Sequence, residues 1–281
     1  MEAEEELKRH RSHLQELVME RTAELTKTNE DLQKEIAGRM LSEEKKAQLL
    51  KELEGTNREL KDFAYIVSHD LKAPLRAMST LANWISVDYQ DKIDKKGKEQ
   101  LALLIRRATR MNNLINGILE YSKVGRIKEK KVKVDLDEVV REVIDTIAPP
   151  ENIKIRVEGE LPSIFCEKTR ISEVFQNLLG NAVKYMDKPE GVIRIGCVEE
   201  NDFWKFNVSD NGPGIEEKYF EKIFQIFQTL SPVDEYESTG IGLTLVKKII
   251  TMYGGEIRVE SEAGRGSSFF FTLPIKEDIN T

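Results

Sequence analysis

The first 62 residues contain neither proline nor an aromatic residue, and this feature excludes most folds for the start of the chain. Residues 1–60 include 26 charged side chains, 11 basic and 15 acidic, so the segment cannot close a core by itself. Its apolar residues recur at heptad spacing, at Leu14, Val18, Leu25 and Leu32 and again at Leu50, Leu53 and Leu60. The spacing predicts a coiled-coil signalling helix over residues 1–49. A solvated single helix is the alternative.

A helical hairpin is predicted over residues 50–127. The apolar pattern with spacings of three and four continues to about Val87, breaks over residues 88–100 and resumes at Leu101. Each helix is apolar over a face too broad for two helices to cover, so two hairpins are expected to pair into a dimeric four-helix bundle. The chain is therefore expected to form a homodimer.

The composition and the hydrophobic pattern of the sequence change near residue 128. Twelve of the 17 glycines and seven of the eight prolines lie beyond residue 125, where strand-like and helical runs alternate. The strand-like runs 192–200 and 203–210 adjoin at an Asn-Asp turn, which indicates a mixed or antiparallel sheet covered by helices on one face. The pattern predicts an α/β sandwich over residues 128–276 with a tail at 277–281. The fold class is thus α + α/β.

Composition excludes several classes of function. A net charge of −7 disfavours general nucleic-acid binding, so no nucleic-acid partner is expected. Two cysteines, Cys166 and Cys197, are too few for a disulfide framework or a CxxC metal site. No apolar run approaches the roughly 18 residues of a membrane span, and the start lacks a signal-peptide stretch. We expect a soluble, cytoplasmic chain, from a full-length protein that could still associate with a membrane.

His69 is the candidate nucleophile. It lies in SHDLKAPLR on the first hairpin helix, two positions from the seam residue Val67, and therefore points largely outward. An exposed neutral imidazole can attack phosphorus. Asp70 can accept a hydrogen bond from the ring and fix its tautomer, while Lys72 and Arg76 supply positive charge. Taken alone, an ordinary surface histidine is the alternative.

Three motifs in the α/β region suit a nucleotide. Asn177 and Asn181 are four residues apart on one helix with Lys184 beside them, and amide oxygens can ligate Mg²⁺ while a lysine neutralises phosphate. In DNGPG, Asp210 ends a strand and can accept a hydrogen bond from an amine such as that of adenine. In STGIGL, glycines open a helix whose first amides can hold phosphate. No GxxxxGK[ST] or GxGxxG occurs, which excludes a P-loop and a dinucleotide fold.

The order of these motifs resembles that of sensor histidine kinases of two-component signalling. SHDLKAPLR is similar to the H box, NLLGNAVKY to the N box, DNGPG to the G1 box, IFQIF to the F box and TGIGL to the G2 box, over roughly residues 50–275. The resemblance implies a HisKA-type dimerisation and phosphoacceptor hairpin and a GHKL-type domain that binds ATP and Mg²⁺. It also implies autophosphorylation, transfer to an aspartate of a response regulator receiver domain, and a sensor domain upstream of this chain.

The resemblance implies a role for each candidate site residue. His69 is the phosphoacceptor, Asp70 is its acid–base partner, and Asn177 is the Mg²⁺ ligand. The other residues bind the nucleotide: Asn181 and Lys184 contact phosphates, Tyr185 packs beside the nucleotide, Asp210 reads adenine, and Gly212, Gly214, Gly240 and Gly242 shape the pocket.

Two positions depart from the family pattern. Ala73 stands four residues after His69, where many members have a Thr or Asn that helps to dephosphorylate the regulator, so phosphatase activity stays open. Thr229 follows the F box where related kinases often have Arg, and no Lys or Arg occurs between Ile223 and Val246. Two other functions stay open: a GHKL-type ATPase clamp, and a degenerate, non-enzymatic dimeric scaffold.

Overall fold

The computed structural model describes residues 2–125, 129–230 and 239–275. It forms two compact units, one ending at Asp62 and one beginning at Phe63. Helices come first and a mixed sheet with helices follows, which confirms the predicted fold class. The predicted tail at 277–281 lies outside the described residues, and the predicted domain boundaries remain predictions.

A single helix, α1, spans Glu2–Asp88 and includes Pro74. In the first unit the heptad residues Leu14, Val18 and Leu25 are 61–69% exposed on this helix. An apolar stripe of this kind needs a partner helix to bury it. The stripe is therefore the surface that the predicted coiled coil would cover.

The second hairpin helix, α2, spans Lys95–Lys123. It begins earlier than predicted, because the side chain of Asp94 accepts a hydrogen bond from the N–H of Gly97 at 2.8 Å and caps the helix before the apolar pattern resumes. The loop between the two helices is correspondingly shorter than the predicted break. Ala108, Ile115 and Leu119 are buried on one face of α2.

The α/β region contains seven strands and three helices within its described residues. In chain order they are β1 Val132–Asp135, α3 Leu136–Ile147, β2 Ile153–Glu158, β3 Ser163–Cys166, α4 Lys168–Lys184, β4 Gly191–Glu200, β5 Phe203–Asp210, α5 Gly242–Met252, β6 Ile257–Glu262 and β7 Gly266–Pro274. Two short 3₁₀ turns, at 217–219 and 222–224, lie between β5 and α5.

The strands form one five-stranded and one two-stranded sheet. The larger sheet has the order β2-β4-β5-β7-β6, with β2 and β4 parallel and the other pairs antiparallel, so the predicted mixed sheet is correct. The hairpin between β4 and β5 turns at Asn201, as predicted. In the smaller sheet β1 pairs with β3. Sequence reasoning misses β3, because a four-residue strand with two buried positions shows too little alternation to be recognised.

Three phenylalanines join the larger sheet to the helix layer. Phe206 on β5 and Phe271 on β7 stack with ring centroids 4.8 Å apart, and Phe175 on α4 meets both rings edge-on at 6.2 and 5.8 Å. All three are fully buried. Such rings contribute large apolar burial together with a fixed geometry, so α4 is held in one position on the sheet. No helix in the described part of the chain combines the length and the hydrophobicity that crossing a membrane requires.

Candidate active site

A cavity of about 420 Å³ opens between α4, the loop after β5 and the start of α5. This volume lies within the range of small-molecule sites. Eight of the predicted site residues line it: Asn177, Asn181, Lys184, Tyr185, Asp210, Gly214, Gly240 and Gly242. Gly212 is not among the lining residues, and its N–H donates to Asp210 Oδ1 at 2.8 Å. Three motifs far apart in the sequence thus meet at one cavity.

The orientation of the Asn177 side chain is fixed by its own helix. Its Nδ2 donates to the carbonyl oxygen of Glu173 at 2.7 Å, so the amide oxygen is the atom left for a ligand. That Oδ1 lies against Gly242, where an added Cβ would be 2.5 Å from it. A cation ligand needs an oxygen atom that is left available in this way. Asn181 adds a second amide group at the same wall of the cavity. The donor set therefore fits Mg²⁺.

Asp210 ends β5 at the floor of the cavity. Burial raises the pKa of its carboxyl group, and the backbone N–H groups of Gly212 and Ser267 only partly oppose this effect. One carboxylate oxygen is occupied by Gly212, which fixes the rotamer. The loop that follows is tied to β4, since the side chain of Asn211 accepts from the N–H of Val192 at 2.7 Å. Asp210 therefore offers an acceptor in a fixed, partly desolvated position.

Gly214 is required by the close approach of two loops. Its φ is +71°, and an added Cβ would lie 2.8 Å from the carbonyl carbon of Glu262. The N–H of Gly264 in that facing turn donates to the carbonyl of Pro213 at 2.6 Å. The glycine thus lets the cavity loop rest on the β6–β7 turn.

A hydrogen bond connects the two ends of the segment between the F box and α5. The N–H of Phe227 donates to the carbonyl of Gly240 at 3.0 Å, and Gly240 has φ +67°, with an added Cβ 2.5 Å from the carbonyl oxygen of Gln228. Phe227 itself has φ +67°, a rare conformation for a bulky residue. Residues 231–238 lie outside the described residues. Gln228, Thr229 and Leu230 line the cavity, so the departure at Thr229 falls at the site.

Lys184 and Tyr185 end α4 at the cavity rim. The Lys184 ammonium lies 5.9 Å from the centre of the Tyr185 ring, and the lysine is exposed while the tyrosine is half-buried. A charge held at the rim in this way can reach a phosphate without first being buried.

The sequence gives no direct indication of Ser267, which also lines the cavity. It is 6% exposed on β7, where the inward positions are otherwise apolar, as at Phe269 and Phe271. A polar residue at an inward strand position is a signal that could have identified it.

His69 and Asp70, the predicted phosphoacceptor and its acid–base partner, lie on α1. His69 Nδ1 lies 3.1 Å from Asp70 Oδ1, and the two side chains are 76% and 73% exposed. Ser68, Leu75 and Ala82 mark the buried side of α1 at intervals of seven residues. A carboxylate oxygen accepts hydrogen bonds, so this contact favours the tautomer in which Nδ1 carries the proton and Nε2 presents its lone pair. The expected outward histidine is confirmed, and neither residue lines the cavity.

Two family descriptions match the chain. Residues 59–126, which include His69, match "His Kinase A (phospho-acceptor) domain". Residues 166–277, which contain the cavity, match "Histidine kinase-, DNA gyrase B-, and HSP90-like ATPase". The first family accounts for the hairpin and the second for an ATP site.

Named relatives match both regions together. Cyanobacterial phytochrome B of Nostoc sp. is 44% identical over 232 residues, which are 81% of this chain and 31% of that protein. Phytochrome-like protein Cph1 of Synechocystis sp. is 37% identical over 240 residues, or 83% and 31%. Our chain thus spans about a third of the length of these curated relatives.

A solved structure shares the fold. Full-length ShkA, crystallised in complex with AMPPNP, superposes with a TM-score of 0.58 at 24% identity, over 76% of this chain and 45% of that one. In this chain the region that matches the phosphoacceptor family is followed by the region that matches the ATPase family. The chain belongs to the sensor histidine kinases.

Proposed function

We propose that this chain transfers the γ-phosphoryl group of ATP to His69, and from His69 to an aspartate of a response regulator receiver domain. The observation that supports this most strongly is the cavity, where Asn177, Asp210 and Gly242 of three separate motifs meet. An exposed histidine whose Nδ1 lies 3.1 Å from a carboxylate oxygen is on the same chain. A nucleotide site and a nucleophile are the two parts that phosphoryl transfer needs.

Asp210 accepts the adenine amine, because its half-desolvated carboxylate lines the cavity in an orientation that the N–H of Gly212 fixes. The phosphates lie toward the start of α5, whose first amides are unpaired within the helix. Asn181 and Lys184 contact these phosphates from α4. Asn177 would ligate Mg²⁺, which supplies charge neutralisation to the phosphates when bound.

His69 Nε2 attacks the γ-phosphorus with its lone pair. The N–P bond forms as the bond between the γ-phosphorus and the bridging oxygen breaks, and ADP departs with that electron pair. The proton stays on Nδ1, where Asp70 accepts its hydrogen bond and stabilises the positive charge that develops on the ring. The phosphoryl group then passes to a carboxylate of the receiver domain, which regenerates the neutral imidazole.

Positive charge near the γ-phosphate comes from few residues. Lys184 is the cation that lines the cavity among the described residues, and the sequence places no Lys or Arg between Ile223 and Val246. Lys72 and Arg76 follow His69 by three and seven residues on α1, so they lie on the same side of the helix. Both assist the transfer once the histidine meets the nucleotide.

The functional unit is a homodimer. Leu71, Met78 and Leu81 of the hairpin are 43–53% exposed in the single chain, and burying them against a second hairpin completes a four-helix bundle. An upstream sensor region acts through α1, and the first unit is the segment that links it to His69.

The test is incubation of the purified chain with γ-labelled ATP and Mg²⁺, followed by acid and alkali treatment. The expected label is acid-labile and alkali-stable, and is lost in His69→Gln. His13→Gln is the matched control, because His13 is also exposed on α1 and should leave labelling unchanged. Addition of a receiver domain should then move the label to that domain.

Three outcomes would overturn the proposal. ATP hydrolysis without labelled protein would favour an ATPase clamp, and ATP binding without hydrolysis or label would favour a scaffold. Label that persists in His69→Gln would move the acceptor to another residue.

A further inference from the structure

The side chain of Asn211 joins the end of β5 to the start of β4. The last pair in the register of these strands is Ile193 with Asp210, so Asn211 is the first residue beyond it. Its backbone N–H donates to the carbonyl oxygen of Val192 at 3.2 Å, and its Oδ1 accepts from the N–H of Val192 at 2.7 Å. Its Nδ2 donates to the carbonyl oxygen of Glu190 at 3.0 Å. One residue thus makes three hydrogen bonds to the same short segment.

The side-chain oxygen of Asn211 takes the place of a backbone carbonyl. Two residues that form a hydrogen-bonded pair in an antiparallel ladder exchange two N–H···O bonds between their backbones. Asn211 makes one of these bonds to Val192 with its backbone and the other with its side chain. The ladder therefore continues for one residue, while the carbonyl of Asn211 is free to leave it. The chain turns there, and the N–H of Gly212 reaches Oδ1 of Asp210 at 2.8 Å.

The same side chain holds a second wall of the cavity. The carbonyl that accepts from Nδ2 of Asn211 belongs to Glu190, the last residue of the loop 185–190 between α4 and β4. This loop begins at Tyr185, which lines the cavity. A Cβ added to Gly212 would lie 3.8 Å from the carbonyl oxygen of Tyr185, so the loop adjoins the turn after β5. Asn211 therefore connects Asp210 to the wall that Tyr185 forms.

Asn211 itself is not among the residues that line the cavity. It can affect a bound nucleotide only through its neighbours, and the neighbour that offers a charged acceptor is Asp210. The carboxylate of Asp210 is partly desolvated, and a hydrogen bond to it depends steeply on distance and angle. A side chain that fixes the backbone directly after this carboxylate therefore acts on the recognition of the base.

We propose that Asn211 is a positioning residue for base recognition, which selects a purine with an amino group at position 6 by holding Asp210 where it can accept from that group. The proposal rests on the proposed function, in which Asp210 accepts the adenine amine. It assigns to Asn211 a contribution to specificity that is separate from contact with the nucleotide and from the transfer step.

The test compares two nucleotides that differ by one group. ATP and purine riboside triphosphate, which lacks the 6-amino group, are each bound with Mg²⁺ by the full chain carrying His69→Gln, so that no transfer to His69 takes place. This chain is expected to prefer ATP at least tenfold, because the analogue leaves a partly buried carboxylate without its partner. With Asn211→Ala added, the preference should fall below threefold, and most of the change should be a loss of affinity for ATP.

Asn152→Ala serves as the comparison variant. The Nδ2 of Asn152 donates to the carbonyl oxygen of Pro189 at 3.4 Å, so this side chain holds the same loop from the side of β2. The variant should keep the preference of at least tenfold. A double-mutant cycle with Asp210→Asn adds a second readout, since a residue that acts through Asp210 should leave the preference unchanged in that background.

The proposal is overturned if Asn211→Ala keeps the preference for ATP, or if it loses affinity for both nucleotides by the same factor, since the side chain would then support the fold alone. It is also overturned if Asn152→Ala loses the preference to the same extent, or if Asn211→Ala still changes the preference when Asp210→Asn is present. A different result, equal affinities for the two nucleotides before Asn211 is changed, would refute the role of Asp210 in the proposed function and the positioning role with it.

Discussion

Gly214→Ala tests how the cavity loop is built. The φ of +71° at this position costs a residue with a Cβ about 1–2 kcal/mol. The new Cβ would lie 2.8 Å from the carbonyl carbon of Glu262 and 3.1 Å from the Cα of Ala263, which are backbone atoms that cannot rotate away. Overpacking of this kind costs about 1–3 kcal/mol. The variant is expected to lower the free energy of unfolding of the ATPase domain by about 2–5 kcal/mol.

Gly264 provides the matched control. It lies in the facing β6–β7 turn with φ +82°, and nothing lies within 4 Å of where its Cβ would be. Gly264→Ala therefore loses only the backbone contribution, about 1–2 kcal/mol. The difference between the two variants isolates the close approach of Gly214 to Glu262.

The assay is urea unfolding followed by tryptophan fluorescence. The chain has two tryptophans, so a Trp84→Phe background leaves Trp204 on β5 to report the ATPase domain alone. ATP affinity is measured in parallel and should fall at least tenfold in Gly214→Ala, because the loop that follows Asp210 must shift. Equal losses of stability in the two alanine variants would refute the reasoning, since the close approach would then contribute nothing.

Three other variants test separate parts of the site and core. Burial raises the pKa of Asp210, so the folded state binds the proton more tightly and stability falls as pH rises from the ordinary value near 3.8 through the folded value. Asp210→Asn should therefore raise the free energy of unfolding at pH values above the folded pKa of Asp210, but not below its ordinary value. The variant should also lose ATP affinity. Equal urea midpoints for the variant and the unmodified chain at pH 7 would contradict the stability prediction. Asp70→Asn should slow labelling of His69 by about 10²–10⁴ at unchanged ATP affinity, and weakened nucleotide binding would argue against its role. Phe271→Ala should cost about 3–5 kcal/mol in urea unfolding, and a loss below 1 kcal/mol would show that its stacking on Phe206 is dispensable.

Sequence patterns predicted the elements whose signal is periodic. The strand β5 has the predicted limits and β4 begins one residue before the predicted run, because alternating apolar residues and an intervening turn mark both strands. Helix α4 follows from its apolar spacing, and the same spacing placed Asn177 and Asn181 on one wall. These features depend on local chemistry repeated many times, so single exceptions do not hide them.

Features that depend on contacts between distant segments were not predictable in this way. In the sequence, nothing distinguishes Gly117 from any other glycine in a helix. Only the structure shows that the side chain of Ile241 packs against it. Phe227 gives no sign in the sequence of its left-handed backbone, which tertiary contacts impose through Gly240. Asp94 was missed as a helix cap because the apolar pattern resumes a turn later. In each case the conformation depends on a residue or an interaction that the hydrophobic periodicity of the sequence does not reveal.

The least favourable features of the ATPase domain lie together around the cavity. Asp210 is a carboxylate held where burial opposes its charge, and Phe227 holds a backbone conformation that costs a bulky residue about 1–3 kcal/mol. Neither is a requirement of the sheet, whose buried core includes the rings of Phe175, Phe206 and Phe271. A desolvated acceptor discriminates a nucleobase from water, and Phe227 directly precedes Gln228, which lines the cavity. The cost in stability therefore falls at the site where the proposed reaction needs recognition, and the aromatic core offsets it away from that site.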